Sequence, residues 1–240
     1  MQQHTEDLTD LMLKNLELKV KTTHKKQLAL YTEILLEGLK RQRLTGEKTA
    51  EGILGKQIYD SLYPLKLIDF HLESTVLDLG SGGGLPGIPL KICKPEIIIS
   101  LMDSNQRKIN FLKGIADNLG LERLYLLCGR AEEYGQSSNH REKYDYVVSK
   151  AVARAAVLVE LTLPLVKVGG KVLLYKGSRA DQEIADAKGA IQACGGNIDQ
   201  VWYYKLISGE QRALYQLVKH KSTPLKYPRK IGVPARKPIK

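Results

Sequence analysis

The stretch Val76-Leu-Asp78-Leu-Gly80-Ser-Gly82-Gly-Gly84-Leu-Pro-Gly87 joins an apolar strand to a helix through a turn made largely of glycine. Glycine lets a backbone bend sharply and approach a ligand with no side chain between, and N–H groups at such a turn face an anionic group. A nucleotide P-loop needs Gly-Lys-Ser/Thr after the turn, and Gly84-Leu85-Pro86 excludes it. A nucleoside site also wants an acid at the end of the next strand for the ribose hydroxyls. Asp103, 23 residues after Gly80, meets that need. NAD and S-adenosylmethionine both present a ribose diol, so Asp103 does not separate them. Asp78 does, because a carboxylate beside a pyrophosphate is repelled. S-adenosylmethionine carries an ammonium and a sulfonium, and its own carboxylate can take the turn's backbone donors. Bracing of the turn is the competing reading of Asp78. A third loop, Gly129-Arg-Ala131-Glu132-Glu133, should face the same crevice and read an adenine edge, although Glu132 and Glu133 alone would suit a solvated helix start.

Other chemistries find little support. Cys93, Cys128 and Cys194 are too far apart for a disulfide framework or a zinc site, and His4, His24, His71, His140 and His220 make no metal-spaced pair. No metal is expected, and Cys128 reads as a small buried strand-end residue. After the fourth strand stands Ser149-Lys-Ala-Val-Ala-Arg154, not the Asn/Asp-Pro-Pro-Tyr run that marks methylation of exocyclic nitrogens. No Pro-Cys pair supplies a thiolate for methylation at a pyrimidine carbon.

These residues need a sheet to hold them. Strands are predicted at Val76–Leu79, Ile97–Met102, Leu124–Leu127, Tyr144–Val148, Lys171–Tyr175, Ile198–Leu206 and Leu214–Lys219. Helices are predicted near Gly87–Lys94, Gln106–Leu119, Ala155–Val166 and Ala180–Ala193. Strand–helix alternation implies an α/β fold with a mainly parallel seven-stranded sheet and helices on both faces. No helix separates the last two strands, so that pair is expected to be antiparallel. Leu8, Leu11, Met12 and Leu16, then Leu28, Tyr31, Ile34, Leu35 and Leu39, recur at helical spacing. A third helix is predicted over Ala50–Leu67, kinked or ended by Pro64. Residues 1–72 thus read as a helical extension, 73–221 as the ligand-binding domain and 222–240 as a tail.

Charge is uneven. Of the net +11, +8 falls between Lys219 and Lys240, which hold eight Lys/Arg and no acid. With Pro224, Pro228, Pro234 and Pro238 in the same stretch, the tail is expected to be extended rather than packed, and its charge suits either a polyanionic partner or a solvated tail that only aids solubility. No apolar run reaches the roughly 20 residues of a membrane span, and the opening MQQHTEDLTD lacks the layout of a secretory signal. A cytoplasmic protein with no membrane partner is expected.

VLDLGSGGGLPGIPL, LMDSNQRKINFL, GRAEEY, SKAVAR, YKG and the ending KYPRKIGVPARKP resemble the RsmG (GidB) family of bacterial 16S rRNA guanine-N(7) methyltransferases. The resemblance covers most of the chain, including Ile58-Tyr-Asp60-Ser61. It implies a Rossmann-like class I methyltransferase fold and contacts to S-adenosylmethionine at Gly80, Leu85, Asp103, Ser104, Ala131 and Glu132. Gly82 and Asp78 join them from the turn itself. A basic residue is implied after the fourth strand; Lys150 stands where many members carry Arg, keeping the charge but losing the planar fork. Gln57 replaces a frequent His, which argues against acid–base work there. None is required, because guanine nitrogen-7 has a free lone pair and positioning suffices. Arg130, Lys150, Arg154 and Lys176, with the tail, are the candidates for holding RNA; for Arg154 and Lys176, local pairing with acids is the competing reading. The implied partner is 16S ribosomal RNA or the small ribosomal subunit, acted on by a monomer. The residues alone also admit a methyltransferase of proteins or small molecules, an NAD-binding oxidoreductase that Asp78 disfavours, or a non-catalytic RNA-binding module.

Overall fold

The computed structural model describes residues 2–240 and is built on a seven-stranded sheet in the order β3-β2-β1-β4-β5-β7-β6. The strands are β1 (Thr75–Leu79), β2 (Ile98–Asp103), β3 (Leu124–Cys128), β4 (Tyr144–Lys150), β5 (Val166–Lys176), β6 (Gly196–Lys205) and β7 (Gln211–Lys219). β1 pairs in parallel with β2 and β4, β2 with β3, and β4 with β5; β7 lies antiparallel between β5 and β6. The antiparallel last pair is as expected. β5, β6 and β7 begin earlier than the sequence suggested, because their added residues are largely polar or exposed and carry no apolar alternation to betray them.

The helices before the sheet are α1 (Gln2–Asn15), α2 (Thr22–Leu39) and a continuous run over residues 50–66. That run is α-helical at α3 (Ala50–Gly52), π-helical at Ile53–Ile58, α-helical again at α4 (Tyr59–Leu62), and tightens to a 3₁₀ turn at Tyr63–Lys66, where Pro64 stands. Within and after the sheet come α5 (Gly87–Cys93), α6 (Gln106–Leu119), α7 (Ala131–Tyr134), α8 (Ala155–Thr162), α9 (Ala180–Asp186), α10 (Lys188–Ala193) and α11 (Val233–Arg236). α6 shows why such segments form where they do. Asn105 caps it by accepting the Arg107 N–H at 2.9 Å, Ile109, Leu112, Ile115 and Leu119 bury one stripe, and Gly120 ends it in the left-handed region. The single helix expected over Ala180–Ala193 breaks in two at Ala187.

Strand alternation sends side chains to two cores. Val76, Leu101, Tyr146, Val148, Leu173 and Tyr175 face α1–α6, whereas Leu77, Leu79, Val147, Val172 and Leu174 face α8–α10. The N-terminal helices share the first core with α5 and α6: Leu28, Tyr31, Leu35, Ile53 and Ile58 are fully buried in it.

The C-terminal segment departs from expectation. Residues 222–240 are a docked strap, not an extended tail. The Thr223 N–H donates to Glu142 and its hydroxyl to the Cys194 carbonyl, at 2.9 and 2.7 Å. Arg141 donates to the carbonyls of Thr223 and Tyr227 at 2.6 and 2.8 Å. Arg229 meets Glu160, fully buried on α8, through its backbone N–H and two guanidinium nitrogens at 2.9, 2.8 and 2.6 Å. Buried carboxylates need donors, and the strap's cation and N–H groups supply them. Its prolines remove backbone donors, so packing leaves fewer of them to satisfy.

Candidate active site

The turn after β1 is tied down from two sides. The Gly80 and Ser81 N–H groups donate to the Met102 carbonyl at 2.8 and 2.9 Å, and the Tyr31 hydroxyl of α2 donates to the Gly83 carbonyl at 2.9 Å. Gly80 has φ +79, and a Cβ there would lie 2.4 Å from Val152 Cγ2, so any other residue is opposed by the backbone and must displace Val152. Gly87 answers a different need: a Cβ there would meet Leu101 Cδ2 at 2.4 Å, and its absence lets α5 close on β2.

At the carboxyl ends of β1, β2 and β3 these loops enclose a cavity of about 310 Å³. Its walls include Gly80, Asp103, Ser104, Arg130, Ala131 and Glu132. Asp103 is nearly buried; its Oδ2 accepts the Gly82 N–H at 3.0 Å, its Oδ1 accepts the Asn105 N–H at 2.9 Å, and Lys108 Nζ stands 3.6 Å away. A carboxylate offers about four lone-pair sites, so each oxygen retains one for a ligand hydroxyl. Glu132 Oε1 accepts from Arg130 at 3.2 Å, while Oε2 is buried with no hydrogen-bond partner among the described residues.

Ala151 and Val152, at the end of β4, separate this cavity from a second of about 480 Å³. Lys150, Arg154, Lys176 and Arg212 bring four cations to it, against Asp60 and Glu183. Lys150 is buried: its Nζ donates to the Gln57 carbonyl at 2.9 Å and the Ser61 hydroxyl at 3.0 Å, with Asp60 Oδ2 at 3.7 Å. Burial pulls its ammonium below the usual lysine value, and the charges of Asp60 and Asp78 oppose this. Asp60 is fixed in turn by the Tyr204 hydroxyl, which donates to its Oδ1. A larger groove, of about 930 Å³ beside the end of α2, contains none of the strand-end residues. Convergence of an acid, a glycine turn and a buried unpaired acceptor marks the smaller cavity instead.

A family model described as GidB, rRNA small subunit methyltransferase G, matches residues 24–214, from α2 into β7. The chain belongs to this family. A ribosomal RNA small subunit methyltransferase G from Leuconostoc citreum is 40% identical over 215 residues, covering 89% of this chain and 90% of that one. Another from Listeria monocytogenes is 40% identical over 232 residues, covering 96% and 97%. Among solved structures, TrmN from Thermus thermophilus has a TM-score of 0.55 at 18% identity, covering 79% of this chain and 53% of that one. TYW2 from M. jannaschii, in complex with AdoMet, has a TM-score of 0.51 at 13% identity, covering 62% and 70%. Both structures share the Rossmann-like fold.

S-adenosylmethionine, the cofactor of the GidB family, suits the smaller cavity. Its size falls at the lower end of small-ligand sites, Asp103 offers acceptors for a sugar diol, and an adenine amino group is a donor of the kind Glu132 Oε2 lacks. Of the residues for which the resemblance implied cofactor contacts, Gly80, Asp103, Ser104, Ala131 and Glu132 line this cavity. Four other residues expected at the cofactor do not. Gly82 lies beside the cavity with its N–H committed to Asp103. Leu85 is buried in the core shared with the N-terminal helices. Lys150 belongs to the second cavity, held there by Gln57 and Ser61. Asp78 is fully buried behind the turn, where Oδ2 accepts the Gly87 N–H at 2.9 Å: it braces the turn rather than facing a ligand.

The RNA candidates also divide. Arg154 is exposed at the second cavity and makes no ion pair among the described residues. Lys176 is buried, donating to Glu183 and the Ala153 carbonyl at 2.9 Å each, which is the local pairing that competed with an RNA role. Arg130 is half exposed on Glu132. Cys128 is exposed, not buried, because β3 is the edge of the sheet. Sequence reasoning passed over Arg212, and also Arg41, Arg43 and Lys48, three exposed cations without ion pairs among the described residues. Their loop packs on the turn through Leu44, whose Cβ lies 3.2 Å from where a Gly83 Cβ would be. The Lys40-Arg-Gln-Arg43 cluster was a visible signal, diluted by the acids around it.

Proposed function

We propose that this chain is a monomeric cytoplasmic enzyme that transfers the methyl group of S-adenosylmethionine to nitrogen-7 of a guanine in 16S ribosomal RNA, free or in the small subunit. One observation carries the reading: a nucleoside-sized cavity and a cation-lined cavity share the Ala151–Val152 wall at the end of β4. Family membership supports ribosomal RNA as the substrate.

When bound, the cofactor supplies an electrophilic methyl group on its sulfonium. The protein's part is to hold both partners. Asp103 accepts the sugar hydroxyls, and the glycine turn, fixed by Met102 and Tyr31, keeps its shape without the ligand. The second cavity receives the base, with Arg154 at hand for phosphate or ring contacts and Arg212, paired with Glu210 at 2.7 Å, beside it. The buried Lys150–Asp60 pair fixes the wall between them. Nitrogen-7 has no proton to lose, so no side chain need act as a base, and alignment with exclusion of water can supply about 7–11 kcal/mol. Arg41, Arg43 and Lys48 beside the turn, and Lys226, Lys230, Arg236 and Lys237 on the strap, are all exposed and extend the cationic surface for the RNA backbone.

The test is to incubate the protein with unmodified small-subunit ribosomal RNA and a labelled methyl donor, then map the product by cleavage at methylated nitrogen-7. One labelled guanine is expected. Label on another atom, or none on this RNA from protein that binds the cofactor, overturns the substrate reading.

A further inference from the structure

A groove of about 680 Å³ runs under the C-terminal strap, walled by Glu132, Glu133, Gln136, Leu225, Pro228 and Ile231 among others. Glu132 is the one residue it shares with the cofactor cavity. Its carboxylate therefore stands between the strap and the cofactor. The Gly232 N–H of the strap donates to Oε1 at 3.0 Å, beside the Arg130 guanidinium at 3.2 Å. Burial alone would raise this carboxyl; the Gly232 N–H, the residue's own backbone N–H and the Arg130 guanidinium together outweigh it, holding the group below the usual range and ionised at neutral pH.

We propose that the docked strap buttresses the cofactor site from behind Glu132: Gly232 orients Glu132, leaving Oε2 for the ligand, and strap docking and cofactor binding are therefore linked. The proposal rests on the cofactor reading above. Gly232 has the conformation for this task, with φ +76 and open space around its Cα, so any other residue is opposed by the backbone and not by collision. The Arg229–Glu160 contact, three residues earlier, sets the register in which its N–H arrives. Without that N–H, Oε1 loses its shorter hydrogen bond and keeps Arg130, a half-exposed side chain. A carboxylate less firmly held is a poorer acceptor for the ligand. Linkage makes the effect reciprocal: whatever factor the strap adds to cofactor affinity, the cofactor adds to strap docking.

The experiment is calorimetric titration of the full chain with S-adenosylhomocysteine, compared with a chain ending at Lys230. That truncation spares the Arg229 N–H and guanidinium contacts with Glu160. The truncated chain should bind about tenfold more weakly, within the usual range of coupling between sites. In a Glu132→Ala background the same truncation should change nothing further, a non-additivity that general loosening of the fold would not give. In the full chain, S-adenosylhomocysteine should slow hydrogen exchange at the Gly232 amide. Equal affinity of the folded truncated and full chains, or exchange at Gly232 unaltered by the ligand, overturns the proposal. If the truncated chain does not fold, Gly232→Ala decides in its place: it should weaken binding about fivefold, and unchanged affinity counts against the proposal. Failure of the full chain to bind S-adenosylhomocysteine overturns the cofactor reading itself, and this proposal with it.

Discussion

Replacing Asp78 by Asn should flatten the dependence of stability on pH. Asp78 is fully buried behind the glycine turn, and burial pushes its carboxyl from 3.8 up to about 7, against the Gly87 N–H and the Lys150 charge. In the unfolded chain the same group ionises at its ordinary value. Below about pH 4 both states hold the proton and the group contributes no difference. Between there and about pH 7 the folded state keeps the proton that the unfolded state releases, so stability falls as pH rises; above about pH 7 the loss is complete. Each unit is worth about 1.4 kcal/mol, so the fall from about pH 5 to about pH 9 is about 3 kcal/mol. Asn keeps an acceptor for the Gly87 N–H and never ionises. Its extra amide N–H costs the same at both pH values and cancels in the comparison. Urea denaturation of both proteins across this range measures the effect. The Asp78→Asn variant should gain about 3 kcal/mol relative to the parent between the two ends. Parallel profiles would refute the burial argument.

Gly80→Ala should cost about 1–2 kcal/mol of stability from the left-handed backbone alone, more if Val152 cannot move aside, and should weaken cofactor binding; thermal melts and calorimetry test both. Arg229→Ala strands the buried Glu160 carboxylate and should cost about 3–5 kcal/mol in chemical denaturation, with much of the loss recovered by adding Glu160→Gln. Exchanging Lys226, Lys230 and Lys237 for Gln should leave the fold intact, since all three side chains are exposed, and make RNA binding less salt-dependent. The log–log slope should flatten by about 0.7 for each single-strand phosphate left without its cation, and an unchanged slope would remove the strap from the RNA surface.

Asp103 and Gly80 could be recognised from sequence because their chemistry restricts residue type at a fixed spacing. Asp78 was harder: sequence shows a charge but not its depth. The signal was nonetheless present, since strand parity puts Asp78 on the face of Val76, whose side chain points into the first core. Lys150 drew attention as a cation, but its partners Gln57 and Ser61 lie about 90 residues away in sequence, on a π-helical turn and the helix after it. The strap misled for the same reason. A run of lysine, arginine and proline reads locally as solvated chain, and the acids that hold it, Glu142 and Glu160, are separated from it by 81 and 69 residues. Local pattern reports periodicity well and distant pairing hardly at all.

The burial of the first helices against later parts of the chain bears on the order of synthesis. Leu28, Tyr31 and Leu35 emerge from the ribosome well before Leu85, Ile88 and Leu112, against which they finally pack. Until α6 has been made, this oily hairpin has no surface to cover it, and an N-terminal fragment expressed alone should clump. The enzyme's scaffold can close only after roughly half of it has been translated.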